Sequence, residues 1–342
     1  MRPSFYPRFV NGPADDPGVF ISLLFEKRAL LFDLGEIYSL SAGDILKISH
    51  VFVSHTHIDH FSGFDRLLRL MLGREKDLYL YGPEGFLKNV EGKLAGYSWN
   101  LVGNYTDSLT LHVAEVCDGC VISGQYPCRN RFHPAEKAVT QPFDGILLTE
   151  PALSVSAVIL DHHIPCLGFS LKERFHVNII RNSLDSLGLE IGPWLKEFKQ
   201  ALFNHQNPDS VFEVRSGKEN REFILKDLAE QIAVITPGQK VTYITDVKYN
   251  ESNAAKIIAF AKDSDYLFIE AAFLEKDRDI AAEKCHLTAW QAGTLAAKAS
   301  AKQFIVFHFS PRYTGMENLL LLEAENAYKE ASKSYLSGEN QG

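Results

Sequence analysis

One short run dominates this chain: Ser54-His55-Thr56-His57-Ile58-Asp59-His60, placed directly after the apolar segment Val51-Phe52-Val53. Three imidazoles and a carboxylate packed so densely are suited to a divalent ion, and an ordinary polar surface loop seldom carries them. Strand alternation puts residues two apart on one side, so the spacing predicts that His55 and His57 address one ion from a strand end. The chain then turns toward Phe64, and Asp59 and His60 face a second ion from that turn. Imidazole and carboxylate are ligands zinc prefers, and manganese and iron accept the same set. Whatever the fold, it must bring a strand end to a ligand-rich edge.

The surrounding pattern supplies such strands. Short apolar runs recur at residues 30–33, 50–54, 78–81, 109–116, 154–160, 241–245, 266–270 and 304–308. Between several of them, at 64–72, 252–261, 288–299 and 316–334, apolar residues return every three or four positions, which predicts helices. The class is therefore α/β (or α+β) with substantial sheet. Two stretches break the pattern: 118–150, rich in Gly, Pro and Cys, and 173–236, which mixes charges with short amphipathic pieces and is expected to be an arm inserted into a single domain spanning 1–342.

A chain of 342 residues, 46% hydrophobic, can bury a sizeable core. Its net charge of -8 excludes a general nucleic-acid coat, since non-specific affinity comes from phosphate neutralisation, so any nucleic-acid contact must be local. No apolar run reaches the length of a membrane span and the N-terminus lacks a secretory segment, from which a cytoplasmic location is expected. Five cysteines in such a chain are expected to be reduced thiols. Cys117, Cys120, Cys128 and His133 raise the alternative of a structural metal, although their spacing matches no familiar zinc knuckle.

H-x-H-x-D-H after a strand is the signature of the metallo-β-lactamase superfamily, and within it the chain most resembles ribonuclease Z, the endonucleases that trim the 3′ end of precursor tRNA. Further motifs carry the resemblance: Phe32-Asp33-Leu34-Gly35-Glu36 (like D-C-G-E), Glu270-Ala271-Ala272-Phe273 (like E-A-T-F), His286-Leu287-Thr288 (like H-S-T), and Phe307-His308-Phe309-Ser310-Pro311-Arg312-Tyr313 (like T-H-x-S-x-R-Y). The chain departs from the family at Ile37-Tyr38-Ser39, where G-T-Q is usual, and at Ile269, where His is usual. The resemblance implies a four-layer αββα metallo-β-lactamase sandwich and two zinc ions per chain, one held by His55, His57 and His162, the other by Asp59, His60 and His308, with Asp246 bridging. His163 competes with His162, and spacing to Gly168-Phe169 favours His162. His50, His112, His176 and His205 are expected to be packed or solvated residues.

The same resemblance implies phosphodiester cleavage by a metal-bound hydroxide, with Asp59 orienting the nucleophile and His286, paired with Glu270, protonating the departing 3′ oxygen. It also implies that the arm grips RNA. There Leu187-Gly188-Leu189-Glu190-Ile191-Gly192-Pro193-Trp194-Leu195 looks like the family's L-G-I-P-x-G-P segment, and Lys196 and Lys199 follow on a helix expected to begin near Pro193, a residue suited to a first turn. Lys196, Lys199 and Arg312 are the candidate substrate contacts, precursor tRNA the expected partner and a homodimer the expected assembly. A phosphodiesterase acting on small substrates such as cyclic nucleotides is the main alternative. Thioester or lactam hydrolysis uses the same leading motif but needs neither the His286–Glu270 pair nor the long arm.

Overall fold

The computed structural model describes residues 5–24, 26–216 and 219–338. One sheet orders eight strands sequentially, β1 (Phe5–Phe9), β2 (Val19–Leu23), β3 (Arg28–Phe32), β4 (Ile48–Phe52), β5 (Lys76–Pro83), β6 (Leu109–Cys117), β7 (Cys120–Pro127) and β8 (Val139–Pro142). Strands β3 to β6 run parallel, and β3 is buried along nearly all of its length. This is why Ala29-Leu30-Leu31-Phe32 reads as a continuous apolar run and not as an alternation.

The second sheet starts with β9 (Ile146–Thr149), β10 (Leu153–Asp161) and β11 (Pro165–Glu173). The chain then leaves it for β12 (Phe175–Ile179), β13 (Val211–Ser216), β14 (Glu219–Ile224) and β15 (Ala233–Pro237), which pair only among themselves. It returns with β16 (Lys240–Ile244), β17 (Tyr266–Glu270) and β18 (Phe304–Phe307), giving the order β18-β17-β16-β11-β10-β9. Aromatic rings join the two sheets' facing sides: Phe32 packs on Phe169 at 5.5 Å and Phe9 meets Phe268 edge-on at 5.1 Å.

Each sheet carries helices on its other face. Leu67, Leu68 and Met71 of the helix Phe64–Met71 pack with Phe86 and Val90 of the helix Phe86–Ala95 against Leu78 and Leu80 of β5. On the second sheet, Ala292, Leu295 and Ala296 of the helix Ala289–Lys298 join Leu320 and Ala324 of the helix Glu317–Gly338. Gly293 permits that pairing, since a Cβ there would sit 2.0 Å from the Ala324 carbonyl oxygen. The layers run helix, sheet, sheet, helix.

The inserted segment is a compact unit of its own, 171–239 together with 148–155. Its core is Trp194, Phe198 and Ala201 from the helix Trp194–Phe203, Leu225, Leu228 and Ile232 from the helix Leu225–Ile232, and Phe212 and Val214 from β13. Pro193 is the N-cap of the first helix, and the Trp194 indole donates to the Glu190 carbonyl at 2.9 Å.

The stretch 118–150 differs from its reading as an irregular segment, for it folds into β7, β8 and β9. Strand β8 is exposed along its whole length, so no apolar pattern marks it; backbone pairing with β7 makes it a strand. Among the described residues no helix is long and apolar enough to cross a membrane.

Candidate metal centre

Every candidate ligand lies beyond the C-terminal end of a strand: His55 to His60 after β4, His162 after β10, Asp246 after β16 and His308 after β18. This corrects the strand alternation expected for His55 and His57. The strand stops at Phe52, His55 lies in the following loop, and His57 is the N-cap of the short helix Ile58–Phe61. The two rings still converge, with centroids 4.4 Å apart, because the loop folds back over the sheet edge. Gly35 and Gly63 allow that close fold: a Cβ on Gly35 would lie 2.3 Å from the Asp59 carbonyl, and one on Gly63 2.2 Å from the Gly35 carbonyl.

Asp246 sits at the middle. Its Oδ2 faces His55 Nε2 and His162 Nε2, each at 3.6 Å. Its Oδ1 faces His60 Nε2 at 3.4 Å and His308 Nδ1 at 3.0 Å. Asp59 Oδ2 lies 3.5 Å from His60 Nε2 and 3.3 Å from His308 Nε2. Ligand atoms thus gather as His55, His57, His162 and Asp246 on one side and Asp59, His60 and His308 on the other.

Three ring nitrogens, His55 Nε2, His60 Nε2 and His308 Nδ1, are buried without a hydrogen-bond partner. Leaving buried polar atoms unpaired costs about 1–3 kcal/mol each, and divalent cations accepting these nitrogen lone pairs would remove that cost, so the donor set fits such ions. Asp33, Asp246 and His308 also hold left-handed backbone angles, φ 56°, 32° and 63°. Non-glycine residues kept there are strained, and such strain concentrates at functional sites.

Electrostatics agree. Burial and the neighbouring His60 push the His55 imidazole down to about 2, and burial likewise lowers His57, so both are neutral and able to ligate. Burial raises the Asp246 carboxyl, but the His308 and His60 rings overcome it and hold it well below the usual range. Burial raises Asp59 too, and hydrogen bonds from His308 and His60 bring it below its ordinary value. For His308, burial opposes the charged form but Asp246, Asp59 and Glu270 outweigh it, raising the ring to about 10 when no cation is present.

Around these candidate ligands lies a layer of orienting groups. The His162 Nδ1–H donates to the Cys285 carbonyl at 2.9 Å, which aims Nε2 at Asp246. His60 Nδ1 donates to Asp33 Oδ2 at 2.8 Å. Asp33 also accepts from the Ser54 amide at 2.6 Å, the Ser54 hydroxyl at 2.9 Å and the Tyr243 hydroxyl at 2.7 Å. Sequence reasoning missed the roles of Asp33 and Tyr243. The available signal was a lone polar group at the end of, or within, an otherwise apolar strand.

Glu270 is fully buried, takes the Val247 amide on Oε1 at 2.7 Å and holds His286 Nδ1 on Oε2 at 2.9 Å. Burial lowers His286, but Glu270 more than compensates and raises it above its ordinary value. His163 stands apart: it is exposed and its amide donates to the Asp161 side chain at 2.9 Å. Lys196 is exposed, whereas Lys199 is half-buried and lowered by that burial; Arg312 is exposed just beyond His308.

The cysteines do not form a second centre. Cys117 and Cys120 face each other across the β6–β7 turn, while Cys128 follows the far end of the eight-residue β7, about 26 Å along the strand at about 3.3 Å per residue. One ion cannot reach both ends.

Residues 210–309 match the family model of a Beta-lactamase superfamily domain. The metallo-beta-lactamase fold protein YhfI from Bacillus subtilis superposes with a TM-score of 0.51 at 15% identity, covering 95% of this chain and 90% of that one. Fold and cluster together define a metallo-β-lactamase sandwich with a histidine- and carboxylate-lined centre. A Deinococcus radiodurans protein, ribonuclease Z, is 30% identical over 315 residues, 90% of this chain and 91% of its own. The chain belongs to the ribonuclease Z family. The short form of human tRNase Z has the same fold, with a TM-score of 0.51 at 18% identity over 91% of this chain and 93% of that structure.

Proposed function

We propose that this chain is a metal-dependent endoribonuclease that removes the 3′ extension of precursor tRNA, using two zinc ions held by His55, His57, His162, Asp59, His60 and His308 with Asp246 between them. The observation that carries the reading is the division of the Asp246 carboxylate, one oxygen toward each imidazole pair. Family membership supplies the substrate, since the relative named ribonuclease Z aligns along nearly the whole chain.

When bound, a pair of divalent ions would supply Lewis acidity toward a phosphate oxygen and acidify water toward neutral pH. The protein's own groups do the rest. Asp59, ionised at neutral pH and on the open side of the cluster, accepts the proton of the attacking water. The water oxygen bonds to phosphorus as the bond to the 3′ oxygen breaks. His286, kept protonated by Glu270, gives its Nε2 proton to that departing oxygen and leaves a 3′-hydroxyl. Lys196 and Lys199 on the inserted unit and Arg312 near the centre meet phosphates, and the assembly is a homodimer whose inserted units present the RNA.

One observation favours the alternative of a small phosphodiester. The cleft beside Asp59 and His308 is lined by Asp15, Asp16 and Glu36, an acidic wall unwelcoming to a polyanion. Incubating zinc-loaded protein with a 3′-extended precursor tRNA and with a chromogenic diester, beside Asp59→Ala, decides between them. An Asp59-dependent cut near the discriminator base establishes the endonuclease; intact RNA with diester hydrolysis establishes the alternative. Light scattering of the loaded protein tests the dimer.

A further inference from the structure

A second concavity, which shares no lining residue with the acidic cleft, lies on the face of the first sheet that carries His50, Tyr79 and His112. The strand register aligns two rows there. His50, Tyr79, His112 and Gln125 follow one another across β4 to β7, and Phe52, Tyr81, Ala114, Ser123 and Val139 across β4 to β8. The rings stack in parallel, His50 on Tyr79 at 4.7 Å and 11°, Tyr79 on His112 at 4.5 Å and 17°, Phe52 on Tyr81 at 4.9 Å and 9°.

The ladder then stops. Beyond Tyr81 and His112 the same rows hold Ala114, Ser123 and Gln125, and a cavity of about 450 Å³ opens there, walled by Ile146 and Leu147 of β9 and by residues 135–137. His112 is the last ring of its row among the described residues, and its Nε2 is held by Asp77 Oδ1 at 2.8 Å, which fixes the ring plane.

We propose that this cavity is a nucleobase-stacking subsite, in which a planar heterocycle lies against the ring ladder at His112. The ladder presents near-parallel ring planes, 7–17° apart for the stacked pairs, against whose last member a flat heterocycle can lie, and the next position holds only small or polar side chains. Gln125 and Gln141 each offer a donor and an acceptor to a base edge, and Lys137 can meet a phosphate. The base comes either from single-stranded RNA or from a free nucleotide. The subsite stands apart from the endonuclease reading, because binding there uses no residue of the metal centre.

Isothermal titration of the zinc-loaded full-length protein with AMP, with a short oligoadenylate and with ribose 5-phosphate tests it, using the parent chain, His112→Ala, His112→Phe, Asp77→Asn and Gln125→Trp. Loss of stacking in His112→Ala should weaken binding about 5- to 150-fold. His112→Phe and Asp77→Asn should stay within about twofold of the parent, since both keep a ring in the ladder. Hydrolysis of a chromogenic diester should be unchanged in all. Gln125→Trp fills the next position at an exposed strand residue and should block binding even if His112→Ala fails to fold. A loss seen with AMP and oligoadenylate alike identifies the base itself; with oligoadenylate alone, RNA; with AMP alone, a free nucleotide. Unchanged affinity in both His112→Ala and Gln125→Trp, or ribose 5-phosphate binding as well as AMP, overturns the proposal.

Discussion

Replacing Tyr243 by phenylalanine removes one oxygen from the interior and tests how the two halves of the centre are held together. Tyr243 belongs to the second sheet, three residues before Asp246, and its hydroxyl donates to Asp33 Oδ2, at the end of β3 in the first sheet, at 2.7 Å. The same oxygen accepts from His60 Nδ1 at 2.8 Å, so this short chain of bonds ties His60 of the first sheet's edge to the strand that delivers Asp246 from the second. The Tyr243 ring is fully buried, 5.3 Å from Phe307 and 5.8 Å from Phe32, and the phenyl ring of the Tyr243→Phe variant would keep that packing. A hydrogen bond to a charged group is worth about 1.5–3 kcal/mol, and the Ser54 amide and hydroxyl remain on Asp33, so metal-free protein should lose stability within that range in denaturant titrations. Loosening a group that orients a ligand typically costs about 10- to 100-fold in metal affinity, measured by competition with a chromogenic chelator. Lost stability with unchanged zinc affinity would refute the argument: the hydroxyl would then brace the core and not the centre.

Other outcomes follow from the same geometry. Glu270 raises His286, so an acid role is lost as pH rises through that raised value; in Glu270→Gln, where that carboxylate's pull is gone and burial still lowers the ring, the descending limb of the kcat/KM profile should move to lower pH. The His308 pairings stabilise metal-free protein fully below about 6.5 and are lost as pH rises toward about 10, so melting of the metal-free chain should weaken across that window. Because His308 and His60 are both raised, zinc loading at neutral pH should release protons, seen as a calorimetric heat that depends on the buffer's ionisation enthalpy; buffer-independent heats would contradict it. Gly35→Ala should push the Asp59 backbone aside and lower turnover about 100-fold with reduced zinc content, and full turnover would show that the loop can give way.

Much of the centre is local in sequence, and that part was legible. His55, His57, Asp59 and His60 lie within one turn of chain, so their proximity needs no tertiary knowledge. The strands were legible where burial makes them apolar, as at Tyr266–Glu270, and illegible at β8, where exposure removes the pattern and pairing alone remains. Strand alternation failed as a guide at His55 and His57 because β4 ends before them.

Which side chains could ligate, and that they follow strands, can be read along the chain, because composition and short-range periodicity are local properties. How they combine follows from the folded arrangement: which Asp246 oxygen meets which imidazoles, that Tyr243 reaches Asp33 across 210 positions, and that a ring ladder ends at His112 before an open cavity. Those relations depend on sheet register and sheet-on-sheet packing, which are set by the free energy of the whole core and leave no mark on any one stretch of sequence.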